Sequence, residues 1–285
     1  MCFLVALTIA AYHFMQQFPN SLYAYNGWQM GVEFFYILSG LLLAKSAERS
    51  EGTGFSYTWK SIKSIYLLYF LTMLFNLIVY CIDTHKSFIS MAGRSVMSFL
   101  FLQESVRGVV GFLPPNGPAW FLSGLIVMGL AVYEFKQRSP RFFIQLIAPF
   151  SVLLIYTYFL RKVGEIVAWK HYVLLNIPAT FLRAFAGLCL GCLCWEIAKQ
   201  IRRVPWTYAG IRLLKVFEIL LFVILILWTE LERPTGAKSI FCILGYACAV
   251  SLSFGNPDSG TPNRFADWCA QTRHGSLFDA QPLFQ

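Results

Sequence analysis

The chain has 285 residues, of which 57% are apolar and 13% charged, and its mean hydropathy is +0.59. Soluble domains carry about 45–50% apolar and about 25% charged residues. This chain therefore has too few charges to clothe a water-facing surface of its size, which excludes a soluble enzyme or a large soluble domain. Net charge is +9, but the Lys and Arg residues cluster in short loops without interleaved aromatics. That is the pattern of topology determinants, and no nucleic-acid partner is expected.

A membrane-spanning helix needs about 20 apolar residues. In chain order the candidate spans are residues 2–15, 30–46, 62–82, 118–135, 142–160, 178–198, 213–229 and 239–254. A weaker stretch at 89–102 is interrupted by Arg94. The fold class expected is all-α: a polytopic transmembrane helical bundle of about eight to nine spans. Loop 44–63 holds Lys45, Arg49, Lys60 and Lys63; loop 134–141 holds Lys136, Arg138 and Arg141; loop 199–215 holds Lys199, Arg202, Arg203, Arg212 and Lys215. Placing all three in the cytoplasm agrees with the alternation of the spans. Loop 161–177 then lies outside despite Arg161, Lys162 and Lys170.

The same alternation makes segment 83–117 cross an even number of times or not at all. Its PPNGP tail, residues 114–118, cannot be helix, and irregular backbone survives in hydrocarbon only against protein or a wet cavity. The segment is read as a re-entrant or interfacial element roofing an outward cavity. Span 2–15 is short, about 21 Å at 1.5 Å per residue, and the expectation is a chain that starts late inside a longer first helix. Residues 1–254 are read as the transmembrane domain and 255–285 as a polar tail. Reading 272–283 one base later, with codons chosen freely, yields an apolar helix, so a frameshift near Trp268 is the expectation there. Cys189, Cys192 and Cys194 crowd an apolar span and are read as packed thiols rather than as a metal set.

Several polar residues stand out against this background. His13 lies near the outward end of the first span. In a low-dielectric site its imidazole stays neutral, the form a general base needs; the alternative is a packing His that bonds a carbonyl. Glu33 lies in GVEFFYILSGLLL, where a carboxylate costs several kcal/mol unless it is paired or hydrated. It can orient His13, hold Arg183 or face a hydrated cavity, or it can snorkel. Ser39-Gly40 permits close helix packing. Trp120 is either an interfacial anchor or a site wall. Arg183 opens an apolar run and needs a carboxylate or an anionic ligand, or reaches the interface. Lys45, Arg49, Lys60 and Lys63 can receive a phosphorylated ligand, or serve topology alone.

Three stretches come in a telling order: Tyr12-His13, GVEFFYILSGLLLAKS at 31–46 and NGPAWFLSGLI at 116–126. Together they resemble the membrane-bound acyltransferase 3 family, the O-acetyltransferase-like proteins of bacterial surface polysaccharides. The run LRAFAGLCLGCLCW at 182–195 fits the family's Arg-containing, Gly-rich span, and the resemblance covers roughly residues 2–254. It implies a fold of about ten spans of about 20 residues each in a bacterial inner or plasma membrane. It also implies transfer of an acyl group, usually acetyl, from a cytoplasmic coenzyme A thioester to a hydroxyl of an extracytoplasmic glycan. Acyl-CoA is then a co-substrate rather than a bound cofactor, and the bilayer and a polysaccharide or lipid-linked glycan are the partners.

By the same resemblance, His13 matches the essential first-span His and Glu33 the acidic position before Phe-Phe and Ser-Gly. Trp120, Asn116, Arg183 and Ser39 become substrate-binding, and Lys60, Lys63 and Lys45 meet the donor's phosphates. Two departures stand against it. Where the family has Arg-x-x-Arg before a Tyr-Pro, this chain has WKSIKSIYLLY, with Lys60, Lys63 and Leu67, and Lys lacks the bidentate fork of Arg. The family's closing helices are absent as written, so the chain is read as either an active or a truncated, inactive copy. A glycan or lipid transporter without acyl transfer is the rival class.

Overall fold

A computed structural model describes residues 2–15, 28–49, 52–106, 119–164, 166, 177–232 and 234–257. Among these residues the chain is helical throughout and has no strand. The helices are α1 (Cys2–Met15), α2 (Trp28–Ala47), α3 (Gly54–Thr84), α4 (Phe88–Phe99), α5 (Trp120–Arg138), α6 (Pro140–Val163), α7 (Ala179–Arg203), α8 (Tyr208–Leu231) and α9 (Ala237–Gly255), with a 3₁₀ turn at Gln103–Val106. Five of them, α2, α3, α6, α7 and α9, are long and apolar enough to cross a membrane. The protein is an all-α polytopic membrane protein.

Every expected span is a helix, and the largest difference is at α3. It begins at Gly54 rather than at 62 and runs 31 residues. Thr53 caps it by accepting a hydrogen bond from the Ser56 N–H at 3.3 Å, so the polar first turns extend the apolar ones. At its far end His85 adopts a left-handed conformation and its N–H closes on the last carbonyls. Thr207 caps α8 in the same way, accepting from Gly210 at 3.2 Å. In α6 the ladder widens to a π-turn over Phe143–Ile147, just before Pro149, a residue that has no N–H to give to the helix.

Helix α7 is the central element, buried along most of its length, and α2, α5, α6 and α9 pack around it. Its contact with α2 is backbone on backbone. A Cβ on Gly40 would fall 2.1 Å from the Leu188 carbonyl oxygen, and one on Gly191 would fall 2.0 Å from the Ile37 carbonyl oxygen. Only glycine fits both places. Cys189, Cys192 and Cys194 are all buried; the Cys192 thiol lies in this seam, 3.5 Å from the Gly40 carbonyl, and the Cys194 thiol faces α9, 3.5 Å from the Ala247 carbonyl. The outer faces of α3 and α8 stay apolar and exposed, as at Leu68 and Leu213, which suits lipid.

The stretch read as re-entrant folds back along α3. The Tyr69 hydroxyl donates to the Ser98 carbonyl at 2.6 Å, and Tyr69 stacks on Phe101 with ring centroids 4.1 Å apart. Phe101, at φ 58, holds the unfavourable backbone that reverses the chain, and buried aromatic stacking offsets that cost. The PPNGP tail, with Asn116, lies outside the described residues, and so does the tail from 258 onward.

The C-terminal ends of α2, α5 and α7 meet at one end of the bundle, where the basic loops gather. Lys136 lies 2.9 Å from Glu196 and 3.3 Å from Glu48, and Lys199 lies 2.7 Å from Glu48 and 2.9 Å from Glu196. The Trp195 indole donates to Glu48 at 2.8 Å. The start of α3 joins the same end, with the Gly54 N–H donating to Glu134 at 2.7 Å.

Candidate functional site

The polar residues of interest converge at the opposite end. Arg183 lies one turn into α7 and Glu33 near the start of α2. Arg183 Nε donates to Glu33 Oε1 at 2.8 Å, with 1% and 0% of the two side chains exposed. Tyr156 of α6 donates its hydroxyl to Glu33 Oε2 at 3.1 Å. Both carboxylate oxygens are therefore engaged, as a buried charge requires. Gly187, one turn along α7 from Arg183, makes room for the pair. A Cβ there would fall 2.6 Å from Tyr36 Cβ and 3.7 Å from Glu33 Oε2.

The guanidinium of Arg183 sits over the Trp120 ring, 5.2 Å from its centroid, a cation–π contact strengthened by burial. Trp120 also walls a cavity of about 240 Å³ with Ala6, Ile9, His13, Val32, Phe35 and Phe121. His13 is half-buried there and is the cavity's polar side chain apart from the Trp120 indole N–H. The Tyr36 hydroxyl donates to the Phe121 carbonyl at 3.3 Å and ties α2 to this wall. A continuous set of contacts thus runs from the His13 cavity through Trp120 and Arg183 to Glu33 and Tyr156.

A second buried carboxylate stands beside the first. Glu104, in the 3₁₀ turn after α4, has no exposed surface. It accepts a hydrogen bond from the Thr180 hydroxyl at 2.8 Å, and its own N–H donates to Ser123 Oγ at 3.4 Å. Its neighbour Gln103 donates to the Ala119 carbonyl at 2.7 Å, pinning the turn to the start of α5. Thr180 and Arg183 are three residues apart on α7 and share a face. The N-terminal turn of α7, whose dipole favours negative charge, therefore meets two carboxylates. Glu104, Thr180 and Tyr156 are not among the residues the sequence singles out.

Of the partners the sequence leaves open for Glu33, the structure shows Arg183, with Tyr156 as the second. His13 and Trp120 share one cavity. Ser39 lies elsewhere, in a separate cavity of about 420 Å³ between α2, α3 and α5 that includes Tyr57, Ser61, Leu122 and Leu188. Lys60 and Lys63 are exposed on α3. Lys63 lies 5.4 Å from the Trp59 ring centroid, at a cleft of about 310 Å³ with Tyr66 and Phe101. Lys45 does not join them: its ammonium lies over Trp195 of α7 and Phe254 of α9. Asn116 lies outside the described residues. Among the described residues no group of three His, Cys, Asp or Glu side chains is placed to hold a metal ion.

The model of one protein family, described as an acyltransferase domain of the acyltransferase 3 type, matches residues 3–267 of the chain. No curated protein and no solved structure matches it.

Proposed function

The chain belongs to the acyltransferase 3 family, and from that premise we propose that it moves an acyl group, acetyl in the first instance, from acyl-CoA to a hydroxyl of an extracytoplasmic carbohydrate. The acyltransferase class comes with the family; the donor, the acceptor and the residues that serve them are the proposal. The observation that carries it is His13 in an apolar cavity whose wall residue Trp120 also contacts the Arg183 of a buried Arg183–Glu33 pair.

In this reading His13 takes the proton of the acceptor hydroxyl. The freed oxygen attacks the thioester carbonyl carbon, the carbon–sulfur bond breaks, and the imidazolium returns its proton to the departing thiolate. A positioned general base is worth about 10²–10⁴ in rate. Trp120, Phe35 and Phe121 exclude water from the reacting atoms. Arg183 acts through Trp120 by holding its ring in place, and Glu33 and Tyr156 hold Arg183. Glu104, through Thr180 and Ser123, fixes the 3₁₀ turn beside the site. Glu33 is in this account a positioning residue rather than the direct partner of His13.

The donor is proposed to come from the basic end, which the positive-inside rule places in the cytoplasm, of a bacterial plasma membrane. The cavity between α2, α3 and α5 leads from Tyr57 and Ser61 near that end to Leu122, one residue from Phe121 of the His13 cavity. Ser39 and the α3 hydroxyls line that path, and Lys60 and Lys63 flank it for the donor's phosphates. Acyl-CoA is a co-substrate here and no resident cofactor is called for. The test is transfer of label from acetyl-CoA to glycan in membranes carrying the protein. His13→Ala is expected to lower it at least about 100-fold with the chain still folded, and unchanged transfer would remove His13 from the reaction.

A further inference from the structure

At the basic end Lys136 and Lys199 are paired with Glu48 and Glu196, and Arg138 with Glu134. Lys60 and Lys63 ride on α3, whereas Lys45, Arg49 and Arg202 gather where α2, α7 and α9 end. Lys45 Nζ lies 5.9 Å from the Trp195 ring centroid and 5.7 Å from that of Phe254. Arg202 Nε donates to the Phe254 carbonyl at 2.6 Å, which brings it to the same aromatic residue. Arg49 follows Lys45 by four residues in the turn that closes α2, where its N–H donates to the Ser46 carbonyl at 3.0 Å.

Glu48 stands between Lys45 and Arg49 in sequence, but its carboxylate is taken by Lys199, Lys136 and the Trp195 indole. Cations that converge at one corner suit a phosphate group, which accepts charge-assisted hydrogen bonds from several donors at once. Trp195 and Phe254 lie at the end of the bundle where the basic loops gather, and their rings seat the Lys45 ammonium. We propose that Lys45, Arg49 and Arg202, over Trp195 and Phe254, form a site for a phosphate group, that of an anionic lipid headgroup on the basic face of the membrane. The phosphates of coenzyme A carry the same chemistry. This corner, however, involves α7 and α9, whereas the cavity assigned above to the donor lies between α2, α3 and α5, so the lipid is the occupant the geometry favours.

The test is titration of the detergent-purified full chain with phosphatidylglycerol, phosphatidylcholine and coenzyme A, read by native mass spectrometry. Each cation at an anionic lipid surface is worth about fivefold in binding, so the double variant Lys45→Gln/Arg49→Gln is expected to bind phosphatidylglycerol about 25-fold more weakly. Its phosphatidylcholine binding should not change. The swap Lys45→Arg/Arg49→Lys, which keeps both charges, should restore phosphatidylglycerol binding and so separates charge from folding. Arg138→Gln/Arg141→Gln removes two exposed charges from the same end and should leave it intact. Wild-type phosphatidylglycerol affinity in the Lys45 and Arg49 double variant, or an equal loss in the Arg138 and Arg141 variant, overturns the site. Loss of coenzyme A binding in place of phosphatidylglycerol binding keeps the phosphate site and overturns the lipid.

Discussion

Arg183 is held one turn inside an apolar helix with 1% of its side chain exposed, and three side chains share the work of keeping it there. Glu33 supplies the charge, Tyr156 engages the second carboxylate oxygen, and Trp120 offers its ring face. Removing one partner of such a pair leaves an uncompensated buried charge and costs about 3–5 kcal/mol. Glu33→Ala and Arg183→Ala are each expected to lower stability by about that amount in detergent unfolding. The double change Glu33→Gln/Arg183→Met is expected to cost less than the two single changes together, because neither charge is left alone. The price of burying charge is also what made this pair legible beforehand, since a carboxylate and a guanidinium in apolar runs call for each other. Glu104 obeys the same rule, and it closes an equally apolar run, SFLFLQES. Its signal is weak in the sequence because the run is interrupted by Arg94 and followed by prolines, which marks it as a poor span. Tyr156 had no signal at all: a tyrosine in a membrane helix is ordinary, and only the packing of α6 against α2 reveals its partner.

At the scale of elements, the α2–α7 seam sets where the site residues meet. Gly40→Ala and Gly191→Ala each drive a methyl into a backbone carbonyl, so the helices must part. A lower unfolding midpoint and loss of acyl transfer are expected for both. Gly129→Ala is the control: nothing lies within 4 Å of a Cβ there, and its stability should match or exceed that of the wild type. The Ser39-Gly40 pair was readable as a packing device from its small residues. Its partner Gly191 was not, because sequence alone does not say which helix lies opposite. Helix α3 is longer than its apolar stretch for a related reason. Hydropathy marks where lipid is, and the polar turns from Gly54 to Ser61 extend beyond it, helical through the Thr53 cap rather than through apolar burial. Parity of crossings calls for an even number of passes, or none, over residues 83–117, but the docking of α4 on Tyr69 depends on aromatic contacts that no periodicity announces.

Across the whole molecule the two ends differ in kind. One carries a network of ion pairs around Glu48 and Glu196, and the other a buried Arg183–Glu33 pair beside the apolar His13 cavity. Glu48 ties the first end together. Burial alone would raise its carboxyl, but hydrogen bonds from Lys199 and Trp195 and the charges of Lys136 and Lys199 outweigh burial and hold it below the ordinary value of 4.5. A carboxylate held low in the folded state adds stability that is complete above the unfolded value and is lost as pH falls through the folded one. The thermal midpoint of the wild type should therefore drop on acidification below about pH 4.5, and Glu48→Gln should start lower and show a flatter dependence. The division into ends also makes the proposed reaction vectorial, with donor at the basic face and acceptor at the other. A transporter would move an unmodified glycan instead. The most direct measurement places the protein in sealed vesicles, with labelled acetyl-CoA on the basic face only and the glycan on the opposite face only. Labelled glycan from the wild type and none from folded His13→Ala is the result predicted. Glycan labelled equally by both proteins, or glycan crossing the membrane without label, would contradict it.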